Sequence, residues 1–284
     1  MSDSEPPLPP GLTPTREVTV TRVGHDGVTR TRDLAAAEEP LDVRLHGRSF
    51  AVIMRTPGED RALAAGFLLS ERIIRSAADI GAIEHCRHPD QSKAHHVVDV
   101  FLVGDAAARV PGLLEQRRQV IANSSCGICG RATIDELAAD LTRLPLTGTM
   151  PLGAVRALPG RLRAVQSRFD ETGGLHGAAL FSTDGSLLGS AEDVGRHNAV
   201  DKVIGSFLLA NAPVPAAAAL MVSGRVSFEI VQKAWLGGIQ IVAAISAPTS
   251  LAIDVAEAAG ITLLGFVRES GLNLYTHPQR IAGV

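Results

Sequence analysis

The segment Ser124–Gly130 reads Ser-Ser-Cys-Gly-Ile-Cys-Gly and holds two of the three cysteines of the chain, Cys126 and Cys129. A helical pattern over Arg131–Leu144 follows at once and would place the thiols near a helix N-terminus, where free N–H groups and the helix dipole favour a thiolate. A thiolate can attack a disulfide, hold a metal ion or accept sulfur from a persulfide donor. The motif by itself does not choose among these reactions, and two small turn residues remain the alternative.

The composition limits the classes of partner. The chain has 284 residues, of which 45% are hydrophobic, with a formal net charge of −3 at pH 7 and a pI near 6.3. A chain of this length can bury a large core and divide into two domains. The slight negative charge provides no basic field for a nucleic-acid backbone and no polybasic membrane anchor. We therefore expect neither nucleic acid nor a membrane as a partner.

The first residues favour a cytoplasmic protein. Residues 1–15 contain five prolines and lack the basic start and apolar core of a signal peptide, so we expect a disordered tail there. Three cysteines in a reducing compartment are not expected to form structural disulfides. We interpret Cys86 as a structural bystander.

Alternating apolar residues predict a smaller, β-rich αβ region over residues 16–123. Extended patterns cover Glu17–Val23, Leu41–Leu45, Arg48–Met54, Ile83–Arg87, Val97–Val103 and Gln119–Ala122. The two strands that flank His46-Gly47 should form a hairpin. Helical spacing of apolar residues predicts a helix over Arg61–Ile74.

Strands and helices alternate over residues 124–284, which predicts an α/β domain in a chain that is α+β overall. A hairpin about Asp184-Gly185 comes first. The later elements are helix Arg196–Ala210, strand Ala217–Val222, helix Ser227–Leu236, strand Ile239–Ile245, helix Ser250–Ala259 and a last strand Thr262–Val267. Continuous apolar strands between short helices predict a largely parallel sheet that is buried on both faces.

Three predicted loops follow strands of this sheet. They are Ser223-Gly224-Arg225, Ser246–Ser250 and Phe266–Gly271. In α/β sheets, ligands bind beyond the carboxyl ends of the strands, where helix N-termini and small residues allow close approach of phosphate. Arg225 and Arg268 can pair with phosphate oxygens in a forked geometry. Ordinary helix caps and turns are the alternative for each loop.

His176 could join Cys126 and Cys129 as the third ligand of a catalytic zinc ion. A zinc deaminase carries a Glu two residues after its ligating His as proton shuttle, and that position here is Ala178. The cysteine pair also precedes the histidine instead of following it. We therefore expect no metal site.

A second polar cluster covers Glu192–Asn198. For Asp193, a cap of the helix that Arg196 begins is the simpler interpretation. For His197, the simpler interpretation is that the side chain makes an ordinary structural hydrogen bond.

Five separated motifs in one order carry a resemblance to a known family. They are the Cys-Gly-Ile-Cys-Gly turn, His176–Leu180, Glu192–Lys202, Ser223-Gly224-Arg225 and Tyr275–Arg280, with further matches at Met54–Gly58 and Gly66–Glu71. Together they resemble the FdhD/NarQ family of formate dehydrogenase accessory sulfurtransferases. The resemblance covers nearly everything after the N-terminal tail.

The resemblance implies a sulfur carrier that takes persulfide sulfur from a cysteine desulfurase. The acceptor would be the molybdenum or tungsten bis-guanine-dinucleotide cofactor, before its insertion into the catalytic subunit of formate dehydrogenase. It implies that Cys126 carries the persulfide while Cys129 assists. It also implies a layered sheet like that of cytidine deaminases in the larger domain, without the zinc chemistry. We further expect a homodimer.

The family's cofactor-binding segment falls on Phe266–Gly271, where Glu269-Ser270-Gly271 stands in place of the Pro-Gly-Arg that the family often carries. The molybdenum bis(molybdopterin guanine dinucleotide) would be a bound substrate. The predicted contacts are Ser223, Gly224, Arg225, Thr249, His176, His197, Phe266, Val267, Arg268, Glu269, Ser270 and Gly271. Two alternatives stay open: a non-catalytic chaperone that binds the cofactor, and a Cys-x-x-Cys thiol oxidoreductase.

Overall fold

A computed structural model of the chain describes residues 12–85, 95–120, 142–215 and 217–284. All three cysteines, Cys86, Cys126 and Cys129, lie outside the described residues, as does most of the helix predicted over Arg131–Leu144. The described end of that segment, residues 142–144, is not helical.

The N-terminal half contains a two-stranded ribbon and a four-stranded sheet. Its elements are β1 (Thr15–Gly24), β2 (Gly27–Ala36), β3 (Glu39–Leu45), β4 (Arg48–Arg55), α1 (Asp60–Ser70), β5 (Ile80–His85), β6 (Val97–Leu102) and α2 (Gly104–Val120). The strands β1 and β2 pair only with each other among the described residues, and the sheet has the order β4-β3-β6-β5. The predicted hairpin of β3 and β4 is confirmed. Its turn residues His46 and Gly47 both have positive φ, as a tight two-residue hairpin turn requires.

One N-terminal prediction was wrong. The extended run predicted over Gln119–Ala122 begins inside α2, a helix that the sequence pattern did not predict. Pro111 and Gly112 lie in the middle of that helix, and both residues lower helix propensity. Packing of buried Ala106, Val110 and Leu114 into the main core outweighs these local preferences.

The C-terminal half is built on a six-stranded sheet of order β13-β12-β11-β10-β8-β9. Its strands are β8 (His176–Phe181), β9 (Leu187–Asp193), β10 (Ala219–Val222), β11 (Ile241–Ala244), β12 (Thr262–Arg268) and β13 (Gly271–Thr276). The helices are α3 (Leu152–Arg163), α4 (Ser167–Thr172), α5 (Arg196–Leu209), α6 (Phe228–Leu236) and α7 (Ser250–Ala259). Two short strands, β7 (Met150–Pro151) and β14 (Ile281–Ala282), pair outside this sheet.

The fold class is confirmed as mixed α/β, but the sheet is not largely parallel. Only β10, β11 and β12 run parallel. The other three pairings are antiparallel: the hairpins β8–β9 and β12–β13 close the two ends of the sheet, and β8 also pairs antiparallel with β10. The strand predicted as the last, β12, is followed by β13. The predicted loop Phe266–Gly271 is therefore a β-hairpin whose turn is Glu269-Ser270.

The sheet is buried on both faces, as predicted. Alternate strand residues face two clusters: Leu180, Leu220 and Val242 pack with α5, α6 and α7, whereas Phe181, Met221 and Ile241 pack with α3. The first cluster continues through α1 to the inner face of the four-stranded sheet. The two halves of the described chain therefore share a core. Among the described residues, no helix combines the length and apolar character needed to cross a bilayer.

The helices α1 and α5 join the halves at a crossing of two glycines. A Cβ placed on Gly66 would lie 2.0 Å from the carbonyl oxygen of Asp201, and one on Gly205 would lie 1.9 Å from that of Ala62. The two backbones can approach so closely only because glycine has no Cβ atom.

We predict that Gly205→Ala lowers the free energy of unfolding by about 2–3 kcal/mol, because the methyl group would have to displace helix backbone. Urea unfolding measures the change. The matched control is Gly153→Ala in α3, where a Cβ meets nothing within 4 Å. This variant should gain about 0.5–1 kcal/mol from helix propensity. Equal stability of Gly205→Ala and wild type would refute close packing at the crossing.

Candidate functional site

The carboxyl ends of the three parallel strands form one continuous edge. Hydrogen bonds join the loops that follow them: the amide of Ile245 donates to Val222 at 3.2 Å, and that of Thr249 donates to Val226 at 2.9 Å. The amide of Phe266 donates to Ser246 at 3.2 Å. The three loops that the sequence singled out therefore lie side by side.

His176 and Asp193 lie at the same edge. The strand β8 runs antiparallel to β10 and begins there, and His176 pairs with Asp193 at the end of β9. Two hydrogen bonds fix this start to the first loop: the amide of Ser223 donates to Gly177, and the amide of Gly177 donates to Ser223 Oγ, both at 2.9 Å. The structure thus joins two motifs that are separated by more than 40 residues in the sequence.

Gly224 lies next to the imidazole of His176. A Cβ built on Gly224 would lie 3.5 Å from His176 Nδ1 and 3.9 Å from Cδ of Arg196. Gly224, the imidazole and the arginine thus border a notch that an alanine methyl group would fill without collision.

Two predicted contact residues already have partners in the protein. Thr249 is the N-cap of α7, and its Oγ1 accepts a hydrogen bond from the amide of Ala252 at 3.3 Å, so the helix-cap alternative holds for this side chain. The exposed Arg268 donates from Nη1 to the carbonyls of Ile245 and Val267, each at 2.7 Å. Its guanidinium is anchored at the strand ends.

The remaining predicted residues of the third loop precede and follow Arg268 in the sequence. Phe266 is 45% exposed and has a φ of +51°, a left-handed conformation that interrupts the pairing of β12 with β13. Val267 is buried, whereas Glu269 and Ser270 are exposed in the turn before Gly271.

His197 is held by a carboxylate. Its Nε2 lies 2.8 Å from Glu229 Oε2 and 3.2 Å from Ser227 Oγ. A nucleophile triad needs the carboxylate and the hydroxyl on opposite ring nitrogens, so this group is not one. The hydrogen bond from His197 lowers the pKa of Glu229, and partial burial opposes that shift.

Asp193 is not the N-cap of α5, in contrast to the simpler interpretation of the sequence. The N-cap is Gly195, whose amide donates to Asp193 Oδ1 at 2.8 Å. Asp193 Oδ2 instead forms a fully buried ion pair with Lys202 Nζ at 2.7 Å. The same oxygen accepts the amide of Thr56 at 3.1 Å, and Lys202 donates to the Thr56 carbonyl at 3.0 Å. This clamp fixes the end of β4 to the start of the site.

Arg196 borders the site, although the sequence did not single it out. It is half-buried at the first position of α5. Its Nε is buried and has no hydrogen-bond partner in the described part of the chain. The only signal in the sequence was its place in the motif Glu192–Lys202, which does not distinguish it from its neighbours.

The pKa of His176 lies below its ordinary value. Partial burial is the main cause, followed by the positive charges of Arg196 and His197. The imidazole is therefore kept neutral near pH 7.

The first described residues after the cysteine segment, residues 142–144, lie at the end of the sheet opposite the strand-end edge. The indole of Trp235, near the end of α6, donates to the carbonyl of Thr142 at 3.0 Å. The amide of Leu144 donates to Ala259, the last residue of α7, at 2.8 Å. Over residues 12–85, 95–120, 142–215 and 217–284, no three His, Cys, Asp or Glu side chains form a group that could hold a metal ion.

Comparison with known proteins identifies the family. The model of the FdhD/NarQ family matches residues 36–282. The chain belongs to this family. It is 47% identical to a sulfur carrier protein FdhD of Streptomyces coelicolor over 265 residues, which cover 90% of this chain and 92% of the relative. It is 45% identical to one of Nocardia farcinica over 270 residues, with 93% and 94% covered.

A solved structure supports the fold. It is a crystal structure of a protein described as a formate dehydrogenase accessory protein, from Desulfotalea psychrophila. It superposes with a TM-score of 0.73 at 24% identity, over 95% of this chain and 100% of that chain. This chain and the Desulfotalea psychrophila protein therefore have the same fold.

We predict that Lys202→Met lowers the free energy of unfolding by about 3–5 kcal/mol, because it leaves the carboxylate of Asp193 buried without a counter-charge. Urea unfolding gives the value. The double variant Asp193→Asn with Lys202→Met should recover part of the loss. A single variant that unfolds at the wild-type urea concentration would show that the ion pair does not stabilise the fold.

We predict that Arg196→Gln raises the pKa of His176 towards its ordinary value, because a positive charge beside the imidazole is removed. Imidazole nitrogen chemical shifts followed by NMR over pH 4–8 measure the change. Arg225→Gln is the control, since the exposed Arg225 is not among the charges that shift His176. An unchanged pKa in Arg196→Gln would place the guanidinium away from the ring.

Proposed function

We propose that this chain is a sulfur carrier that accepts persulfide sulfur from a cysteine desulfurase on Cys126. The sulfur then passes to the molybdenum or tungsten bis-guanine-dinucleotide cofactor of a formate dehydrogenase. The observation that carries the proposal is the 47% identity to a sulfur carrier protein over nine-tenths of the chain, in a sequence that holds the Cys-x-x-Cys pair.

Loading is a thiol exchange. The Cys126 thiolate attacks the outer sulfur of the donor persulfide, the donor cysteine leaves as a thiolate, and Cys126 becomes a persulfide. No external oxidant is needed, since the bond broken and the bond formed are both sulfur–sulfur bonds.

Delivery requires two electrons, because a sulfane sulfur becomes a sulfide. Attack of the Cys129 thiolate on the inner sulfur of the Cys126 persulfide supplies them. It forms a Cys126–Cys129 disulfide and releases hydrosulfide for the metal of the cofactor. A thiol reductant must then restore the pair. This chemistry gives Cys129 the assisting role.

The strand-end edge is suited to the nucleotide parts of the cofactor. The helices α5, α6 and α7 begin there, and their N-terminal N–H groups and dipoles favour phosphate. Arg196, Arg225 and Arg268 add positive charge. The exposed Glu269 adds a negative charge to this surface, within the segment Glu269-Ser270-Gly271 that stands in place of the Pro-Gly-Arg that the family often carries. We therefore propose Phe266–Arg268 and the first loop as the main cofactor contacts.

The segment between Cys129 and Thr142 is long enough for the thiols to reach the proposed cofactor site at the strand-end edge. Thr142 is fixed at the opposite edge of the sheet by Trp235, and 13 residue steps separate it from Cys129. Such a segment spans at most about 45 Å. The helix α6 has nine residues and is about 14 Å long. The connection is therefore long enough for the thiols to reach the strand-end edge.

We predict that incubation with a cysteine desulfurase and cysteine, without reductant, adds one sulfur atom, about 32 Da, to the wild-type protein and none to Cys126→Ala. Intact-mass spectrometry measures the gain. Cys86→Ala is the control and should gain sulfur like wild type. If no variant gains sulfur from a competent donor, the carrier function fails, and a chaperone that only binds the cofactor becomes the better account.

A further inference from the structure

An apolar pocket lies at the end of α5 that is remote from the strand-end edge. The helix begins at that edge and runs for 14 residues, about 20 Å, to the pocket. The volume of the pocket is about 340 Å³, far more than the roughly 15 Å³ that admits one water molecule, so it is not a packing defect. Six large apolar side chains line it: Leu69, Ile204, Phe207, Leu208, Val214 and Leu236. Leu69 and Ile204 form its buried floor, whereas the other four are partly exposed.

Residues 121–141, which lie outside the described structure, connect two elements beside this pocket. On one side is α2, where Nη2 of Arg109 donates to the carbonyl of Ile73 at 3.0 Å, next to lining residues at positions 75–77. On the other side, Trp235 donates to the carbonyl of Thr142 at 3.0 Å, and the two residues after Trp235 line the pocket. The segment therefore ends at an anchor on the rim of the pocket.

The sequence of this segment carries an apolar stripe. Ile134, Leu137 and Leu141 recur at i, i+3 and i+7, which places them on one face of the predicted helix. Because residues 142–144 are not helical, the predicted helix extends at most over residues 131–141. Its apolar face would then end directly before the anchor at the rim.

The charges of the helix and the pocket are complementary. Among the described residues that line the pocket, Arg75 is the one with a charged side chain, and it is exposed. Residues 131–141 contain one basic residue and three acidic ones, Asp135, Glu136 and Asp140. An apolar groove with a basic rim suits an acidic amphipathic helix.

We infer that the pocket at the end of α5 is a docking site for the helix predicted over residues 131–141 of the same chain. The side chains of Ile134, Leu137 and Leu141 occupy the pocket. Since Leu141 directly precedes the anchored Thr142, docking is an intramolecular event at high effective concentration. The inference does not rest on the proposed sulfur chemistry, but it states where the base of the cysteine segment is held.

Hydrogen–deuterium exchange of the full chain, read by mass spectrometry on peptides that cover residues 131–141, tests the inference. These amides should be protected in wild type. Leu208→Asp, which puts a charge into the pocket, should lower their protection at least about tenfold. Leu209→Asp is the matched control: the neighbouring side chain is 36% exposed and does not line the pocket, so protection should stay as in wild type.

A second pair of variants tests the same contact from the side of the helix. Leu137→Asp places a charge on the apolar stripe and should lower the protection of residues 131–141. Ala139→Asp introduces the same residue on the opposite helical face and should not. Peptides that cover residues 207–214 should exchange faster in Leu137→Asp only, because the pocket loses its cover.

Unprotected amides over residues 131–141 in wild type, or equal exchange in Leu137→Asp and Ala139→Asp, overturn the inference. So does protection of the pocket that survives Leu137→Asp and falls on dilution, because a second copy of the chain would then be the occupant. Thermal unfolding of each variant separates a loss of docking from a loss of folding, and if Leu208→Asp does not fold, the Leu137 and Ala139 variants decide. Sulfur loading of Cys126 is measured separately, so the proposed function and the docking site can fail independently.

Discussion

The buried ion pair between Asp193 and Lys202 is the interaction on which the site depends. Neither side chain is exposed, so both charges have lost their hydration, and such a pair is tolerated only when its remaining hydrogen-bonding groups are satisfied. The backbone of Thr56 satisfies both partners, with its amide on Asp193 and its carbonyl on Lys202. Its hydroxyl also accepts the amide of Val194 at 3.1 Å. The last turn before α5 is thereby fixed to the other half of the chain.

The glycine crossing of α1 and α5 complements this clamp. Gly66 and Gly205 let the two helices touch through their backbones, and a second buried ion pair, between Asp201 and Lys233, lies beside the crossing at 2.7 Å. Ser70 Oγ donates to the same Asp201 at 2.7 Å. The helix α5 is thus fixed at its start by Thr56 and along its length by α1 and α6. Arg196 is the first residue of α5, so the contacts of this helix with Thr56, α1 and α6 determine where Arg196 lies.

The charges at the strand-end edge share a pattern. Acidic groups are used for structure: they bind a lysine, a histidine or the free amides of a helix. Three arginines contribute positive charge at this edge: Arg225 and Arg268 are exposed, and Arg196 borders the notch at Gly224. A surface of this kind attracts anions even on a chain with a net charge of −3, because local charge and helix N-termini, not the total, set the field at a site.

The sequence by itself determined most of the local elements. Hairpins with turn residues of fixed conformation, and helices with a clear apolar period such as α7, were found at or near their bounds, because neighbouring residues decide them. The motifs and the cysteine pair likewise indicated the family. Only the tertiary structure decided that α2 is a helix despite Pro111, that β13 follows β12, and that Asp193 forms a buried ion pair with Lys202. It also decided that the Nε of Arg196 is buried without a hydrogen-bond partner in the described part of the chain. These features depend on burial and on partners distant in sequence, such as Thr56 and Asp193, and no local pattern records whether a charge will find a partner.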